Sequence, residues 1–179
     1  MASQPTVETL LATANTYIQI FTTLDPADLL AIAAENYSHT MAPASLGFSK
    51  DGPMDRAHFA AHLGGLRGLL RSFPVRAKET WPNPSLRQVV VWADSRTEFH
   101  EHVKDVQQQN GKGEDEWDFR GEYVFVLFMD QSGRQVERVV EFLDSKASED
   151  IKGLISRALR RKGEVEGKRP GDVLGLSET

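Results

Sequence analysis

The chain has 179 residues, 26% of them charged, with a net charge of −5 and no cysteine. That length suits one domain with its own core, the acidic balance argues against nucleic acid as the main partner, and the missing thiols exclude disulfides, cysteine nucleophiles and cysteine-ligated metals. The opening MASQPTVETLL has neither a basic stretch nor a long apolar run, and no apolar run of membrane-spanning length follows it, so a cytoplasmic protein is expected, neither secreted nor membrane-inserted.

Thr6 is a suitable N-cap for a helix in which Leu10, Leu11, Ala14, Tyr17, Ile18 and Phe21 recur at helical spacing. Asp25, Pro26 and Asp28 supply a cap, a proline at the first helical position and an acidic first turn for a short second helix through Leu29, Leu30, Ile32 and Ala33. From Tyr37 onward, YSHTMAPASLG reads as a short extended piece and a loop. A third helix begins near Asp55 and carries Phe59, His62, Leu63, Leu66, Leu69, Leu70 and Phe73 on one face, with Gly64, Gly65 and Gly68 suggesting close packing.

After Pro74 the segments VRAKETW, RQVVVWADSRTEFHEHV, EYVFVLFMD and RQVERVVEFLD are rich in β-branched and aromatic residues and read as strands. The polar run QQQNGKGEDE at 107–116 reads as a mobile surface loop or a lid. A last amphipathic helix over about 146–162 carries Ile151, Leu154, Ile155, Ala158 and Leu159 and ends at Gly163. Its basic residues Arg157, Arg160, Arg161 and Lys162 fit the negative end of a helix dipole better than an anion site. The expectation is a single α+β domain over 1–163, with helices on one side of a curved antiparallel sheet, and a loose polar tail at 164–179.

One strand carries an anomaly. In RVVEFLDS, Glu141 shares a face with Val139 and Leu143, where an ionised carboxylate must reach solvent, find a partner or hold a proton. If DQSGR forms a three-residue hairpin loop with Gly133 left-handed and Asp130 facing Arg134, Phe125 lies opposite Val139 and Tyr123 opposite Glu141. A two-residue turn instead sets Glu122 against Glu141. In the first register a mostly apolar row holds one acid and one phenol, suited to a pocket whose apolar walls raise the acid's pKa toward general acid/base use. A half-exposed glutamate on a solvated sheet face is the alternative.

Other polar residues divide similarly. His58 and His62 have the spacing of a shared metal site, but no third ligand accompanies them, and no metal is expected. His62, in the apolar stripe, reads as a core histidine or a group pointing into a cavity, and His39 reads as a turn residue. Trp92, Asp94, Arg96, Glu98 and His100 alternate with Val91, Ala93, Ser95, Thr97 and Phe99, giving a charged row for solvent or a subunit interface and a small row beside a ligand. No hydrolase-elbow, phosphate-loop, dinucleotide or zincin motif is present, and no cofactor is implied.

Three N-terminal helices before a bent sheet, PASLG after the second, SFPVRAKE after the third, then RGEYVFVLFMD and VVEFLDS, together resemble the SnoaL-like branch of the NTF2-like superfamily, nearest its fungal isomerases and cyclases of meroterpenoid, polyketide and indole alkaloid pathways. The resemblance covers about residues 7–160. It implies a cone-shaped barrel, an apolar pocket, a homodimer packed through the sheet, and catalytic roles for Glu141, Tyr123 and His39. His62, Phe125, Phe59, Leu66, Tyr17 and Phe21 are the expected pocket residues. Where semipinacolase-like members carry a second tyrosine and an arginine, this chain has Phe119 and AIAAEN. The function these features imply is a cofactor-free rearrangement of a bulky apolar small-molecule intermediate, with a dehydratase or a non-catalytic binding module as alternatives.

Overall fold

In a computed structural model, which describes residues 4–49, 51–105 and 114–166, the chain forms four α-helices and seven strands among the described residues. Helix α1 (Val7–Thr23) is capped by Thr6, whose side chain accepts from the Thr9 N–H. Helix α2 (Pro26–Ile32) is capped by Asp25, whose side chain accepts from the Ala27 N–H. Both starts follow from the sequence, because each cap satisfies an N–H that the first helical turn leaves unpaired. The next segment differs from expectation. The chain turns at Ala33 into a full strand, β1 (Ala33–Ala42), in place of a brief extended piece.

Strand β2 (Met54–Asp55) leads into helix α3 (Arg56–Arg67). The helix stops at Gly68, short of Phe73, and Leu70–Ser72 forms β3, pairing with β5 (Gln88–Phe99). Gly64, Gly65 and Gly68 lower the helix propensity at this end, so the apolar residues beyond them join the sheet. Strands β4 (Val75–Asn83), β5, β6 (Phe119–Met129) and β7 (Val136–Leu143) fall where the β-branched and aromatic segments lie. Helix α4 (Ser145–Glu166) runs through Gly163, which the sequence reading made its end. Of the run at 107–116, the end joins a short 3-10 turn (Glu114–Trp117); residues 106–113 lie outside the described set, as does the tail beyond 166.

The sheet order is β2-β1-β7-β6-β5-β3, with β4 also on β5. The sheet is mixed where an antiparallel one was expected, because β1 and β7 run parallel. Alternation sets the two faces of the sheet. Val89, Val91, Ala93, Ser95, Thr97 and Phe99 of β5 are buried, while the residues between them stay partly or fully exposed. Phe21 of α1 lies at the centre of the core, with ring centroids 5.5 Å from Phe125, 6.0 Å from Phe73 and 6.5 Å from Phe59. The basic cluster Arg157, Arg160, Arg161 and Lys162 of α4 is matched by acids. Arg157 meets Asp105 and Glu116, Arg160 meets Asp105, Arg161 meets Glu164 and Lys162 meets Glu166. Since α4 continues past them, they sit along the helix and not at its end.

Candidate active site

Neither expected hairpin register forms. Phe125 lies opposite Glu141 and Tyr123 opposite Leu143. The turn is longer than a three-residue loop: the Asp130 N–H donates to the Gln135 carbonyl, and the Asp130 carboxylate accepts from the N–H groups of Arg134 and Gln135. A register shift between Phe128 and Met129 displaces the ladder by one further residue. Gly133 is left-handed as expected, at φ +74°, and a side chain there would also strike Pro5. Two residues of displacement preserve facing, so Tyr123 and Glu141 still share the inner face, one pair apart.

The partner of Glu141 comes from β1. Parallel pairing sets Met41 beside Glu141 and His39 beside Val139, and Tyr37, His39 and Met41 all point inward. His39 Nε2 lies 2.8 Å from Glu141 Oε2. On its other side, His39 Nδ1 lies 3.0 Å from the Tyr37 hydroxyl and 3.1 Å from that of Tyr17, and these hydroxyls are 2.7 Å apart. The group is enclosed: His39 and Tyr17 are 0% exposed, Tyr37 2% and Glu141 4%. Burial, the neighbouring phenol and the Glu141 charge push Tyr17 well above the ordinary phenol range. Burial likewise pushes Tyr37 up, so both hydroxyls keep their protons.

Phe59 of α3 stacks on His39, ring centroids 3.9 Å apart and 12° from parallel, and His62 stacks on Phe59 at 5.9 Å. Burial lowers the pKa of His62, which favours its neutral form. His58 takes no part: it is exposed and bonds Asp55 at the helix start. Tyr123 accepts from the Ser95 hydroxyl at 3.1 Å and lies over Gly121, where a Cβ would come within 2.7 Å of the phenolic oxygen. Burial raises its pKa as well.

The structure therefore joins Glu141, His39 and Tyr17 directly, sets Phe59 and His62 against them, and holds Tyr123 on the same face. Phe21 and Phe125 pack as core rings and Leu66 borders the core. Two clefts, of about 490 and 380 Å³, lie among charged residues such as Arg76, Asp94 and Glu122, and Arg71, Glu98 and Lys104. None of the expected pocket residues lines either. Tyr37 was missed as a site residue although its signal was present: in YSHTMA every second residue is the larger one, the mark of a strand face.

Chemically, a buried carboxylate with one oxygen held by an imidazole can exchange a proton through the other. Glu141 Oε1 accepts no hydrogen bond among the described residues, and it is not one of their fully buried unpartnered atoms, Arg56 Nε and Thr97 Oγ1, so it keeps contact with solvent.

No protein-family model matches the chain. It is 29% identical over 145 residues to austinoid biosynthesis cluster protein H of Aspergillus calidoustus, covering 79% of this chain and 86% of that one. The structure of AusH from Aspergillus nidulans superposes with TM-score 0.65 and 26% identity, over 79% of this chain and 87% of that one. BvnE pinacolase from Penicillium brevicompactum superposes with TM-score 0.69 and 21% identity, over 84% and 96%. The chain has the α+β fold of the NTF2-like proteins. Among the described residues of this NTF2-like chain, no helix is long and apolar enough to cross a membrane.

Proposed function

We propose that this NTF2-like protein is an isomerase or cyclase that rearranges a bulky apolar biosynthetic intermediate by acid/base chemistry, with Glu141 exchanging the proton and His39 held against it. The observation that carries this reading is the buried Glu141–His39 pair on the inner sheet face. Burial beside apolar walls makes a proton-exchanging carboxylate effective, and the relatives named above supply the biosynthetic context. Tyr123, one residue pair away, orients the substrate from the same face. A carboxylate buried against an imidazole on the inner face favours catalysis over a binding module without chemistry.

The test is to delete the gene in the producing organism, purify the intermediate that accumulates, and incubate it with the protein. A product of unchanged mass supports an isomerase or cyclase. Loss of one water makes the protein a dehydratase, and an unchanged intermediate makes it a binding module.

The outer sheet face supports a homodimer as part of this proposal. Trp81, Val90, Val126 and Val140 form one row across β4, β5, β6 and β7, and Trp92, Val124 and Phe142 another. Trp81 and Phe142 are each 48% exposed, an apolar area bordered by paired residues of both signs, among them Arg76 with Asp94 and Lys78 with Glu122. A second copy related by a two-fold axis would meet the same mixture. Sedimentation of the wild type as a dimer and of Phe142→Lys as a monomer supports the arrangement; a monomeric wild type removes it.

A further inference from the structure

The hydrogens available to the buried group restrict what His39 can do. Among the described residues, the hydroxyls of Tyr17 and Tyr37 have no partners other than each other and His39 Nδ1. With His39 neutral and its proton on Nε2, every donor is used. One phenol donates to the other, that phenol donates to Nδ1, and Nε2–H donates to Glu141 Oε2. With a proton on Nδ1, the imidazole donates to a phenol and the last phenolic O–H has nothing to donate to. Both phenols are at most 2% exposed, so water does not replace the missing acceptor, and such an orphaned donor costs about 1–3 kcal/mol.

We infer that Tyr17 and Tyr37 lock His39 as a neutral Nε2–H donor, so that His39 is a positioning residue and Glu141 Oε1 is the one proton-exchanging atom of the site. This deepens the proposed function and rests on it for its catalytic part. A proton taken from the substrate resides on Oε1, while Oε2 still accepts from Nε2–H, and the proton returns to the same molecule, so no atom is gained or lost. The two hydroxyls are redundant. If either is removed, the other still donates to Nδ1 and still lacks an acceptor when Nδ1 is protonated. With both removed, the lock is gone, and the Glu141 charge favours imidazolium.

The other ionisable groups facing this centre are His62 on α3, separated from His39 by the Phe59 ring, and Tyr123 on β6. Neither hydrogen-bonds His39 among the described residues, so the lock belongs to the two phenols of α1 and β1.

Nitrogen-15 NMR of histidine-labelled protein tests the inference without any substrate. The expected result is a His39 signal with the proton on Nε2 and none on Nδ1 at neutral pH. The same signal is expected in Tyr17→Phe and in Tyr37→Phe, with protonation of Nδ1 only in the double variant. An imidazolium or an Nδ1–H tautomer in the folded wild type overturns the inference, as does a proton on Nδ1 in either single variant. Should the double variant not fold, the wild type and the single variants still decide. A failed lock leaves the acid/base role of Glu141 standing, and an absence of turnover leaves the tautomer result standing.

Discussion

Glu141 and His39 stand diagonally across adjacent parallel strands, offset by one inward-facing pair, and the long imidazole arm closes the gap to 2.8 Å. Neither residue is in a loop. Both are carried on strand backbones, so the sheet brings their side chains within reach of each other.

Replacing Glu141 by Gln retains an oxygen to accept from His39 Nε2–H but removes the exchangeable proton. Turnover of the natural intermediate should fall by at least about 10²-fold, the lower end of what positioned proton transfer contributes. The thermal midpoint should shift little. Turnover close to wild type would take Glu141 out of the mechanism.

Gly121→Ala should destabilise through Tyr123. The new methyl meets the phenolic oxygen at 2.7 Å and the adjoining ring carbon at 3.1 Å, and the ring is hemmed by Phe73 at 6.0 Å and Phe125 at 5.8 Å. Overpacking of this kind costs about 1–3 kcal/mol. Urea unfolding should show that loss; Gly121→Ala combined with Tyr123→Leu should recover part of it, whereas full additivity would mean that the strain lies elsewhere.

His62 links stability to pH. Its folded pKa lies below the ordinary 6.5, with burial the largest cause, so the unfolded chain takes up a proton that the folded chain refuses. Its contribution is therefore intact above 6.5 and is lost progressively as pH falls from there toward the folded value. Denaturation midpoints measured across that window should slope downward toward acid, and His62→Gln should flatten the slope. An equal slope in the variant would assign the effect to another group.

Arg157 ties α4 to the segment after β5 by reaching both Asp105 and Glu116, with side-chain exposures of 17%, 22% and 29%. Arg157→Met should cost about 1–3 kcal/mol, the range for hydrogen bonds to charged groups that are half-sheltered from water. The hydrogen bond from Arg157 is also the largest cause holding Asp105 below its ordinary 3.8, so this stabilisation is present above 3.8 and is lost as pH falls through the lower folded value. Hydrogen exchange along α4 reports both effects; unchanged protection in the variant would place the anchoring of α4 in its apolar face alone.

Much of this could be read from the chain, for identifiable reasons. Thr6 and Asp25 marked their helix starts because capping is a local interaction, and β4 to β7 were marked by runs of β-branched and aromatic residues. Glu141 stood out because it breaks such a run. The pairing of β6 with β7 was misjudged because the Asp130 side chain gathers two backbone N–H groups and holds a wider loop than Gly133 alone suggests. His39 meeting Glu141 and Tyr17 was hidden for another reason: parallel pairing of β1 with β7 joins distant segments, and no local pattern reports it. Tyr37 was legible in the alternation of YSHTMA, which the proline after it obscured by suggesting a loop.

The parallel seam has a temporal consequence. The imidazole and the carboxylate are 102 positions apart, so a growing chain carries His39 and both phenols long before it carries their acid. Until β7 docks beside β1, β1 is paired only with the two-residue β2, and its inward face holds an imidazole and a phenol with no carboxylate to accept a hydrogen bond from the imidazole N–H. The centre is thus completed by one of the last long-range pairings that synthesis allows, and a chain stopped before residue 136 has every part of the proton lock and nothing for it to hold.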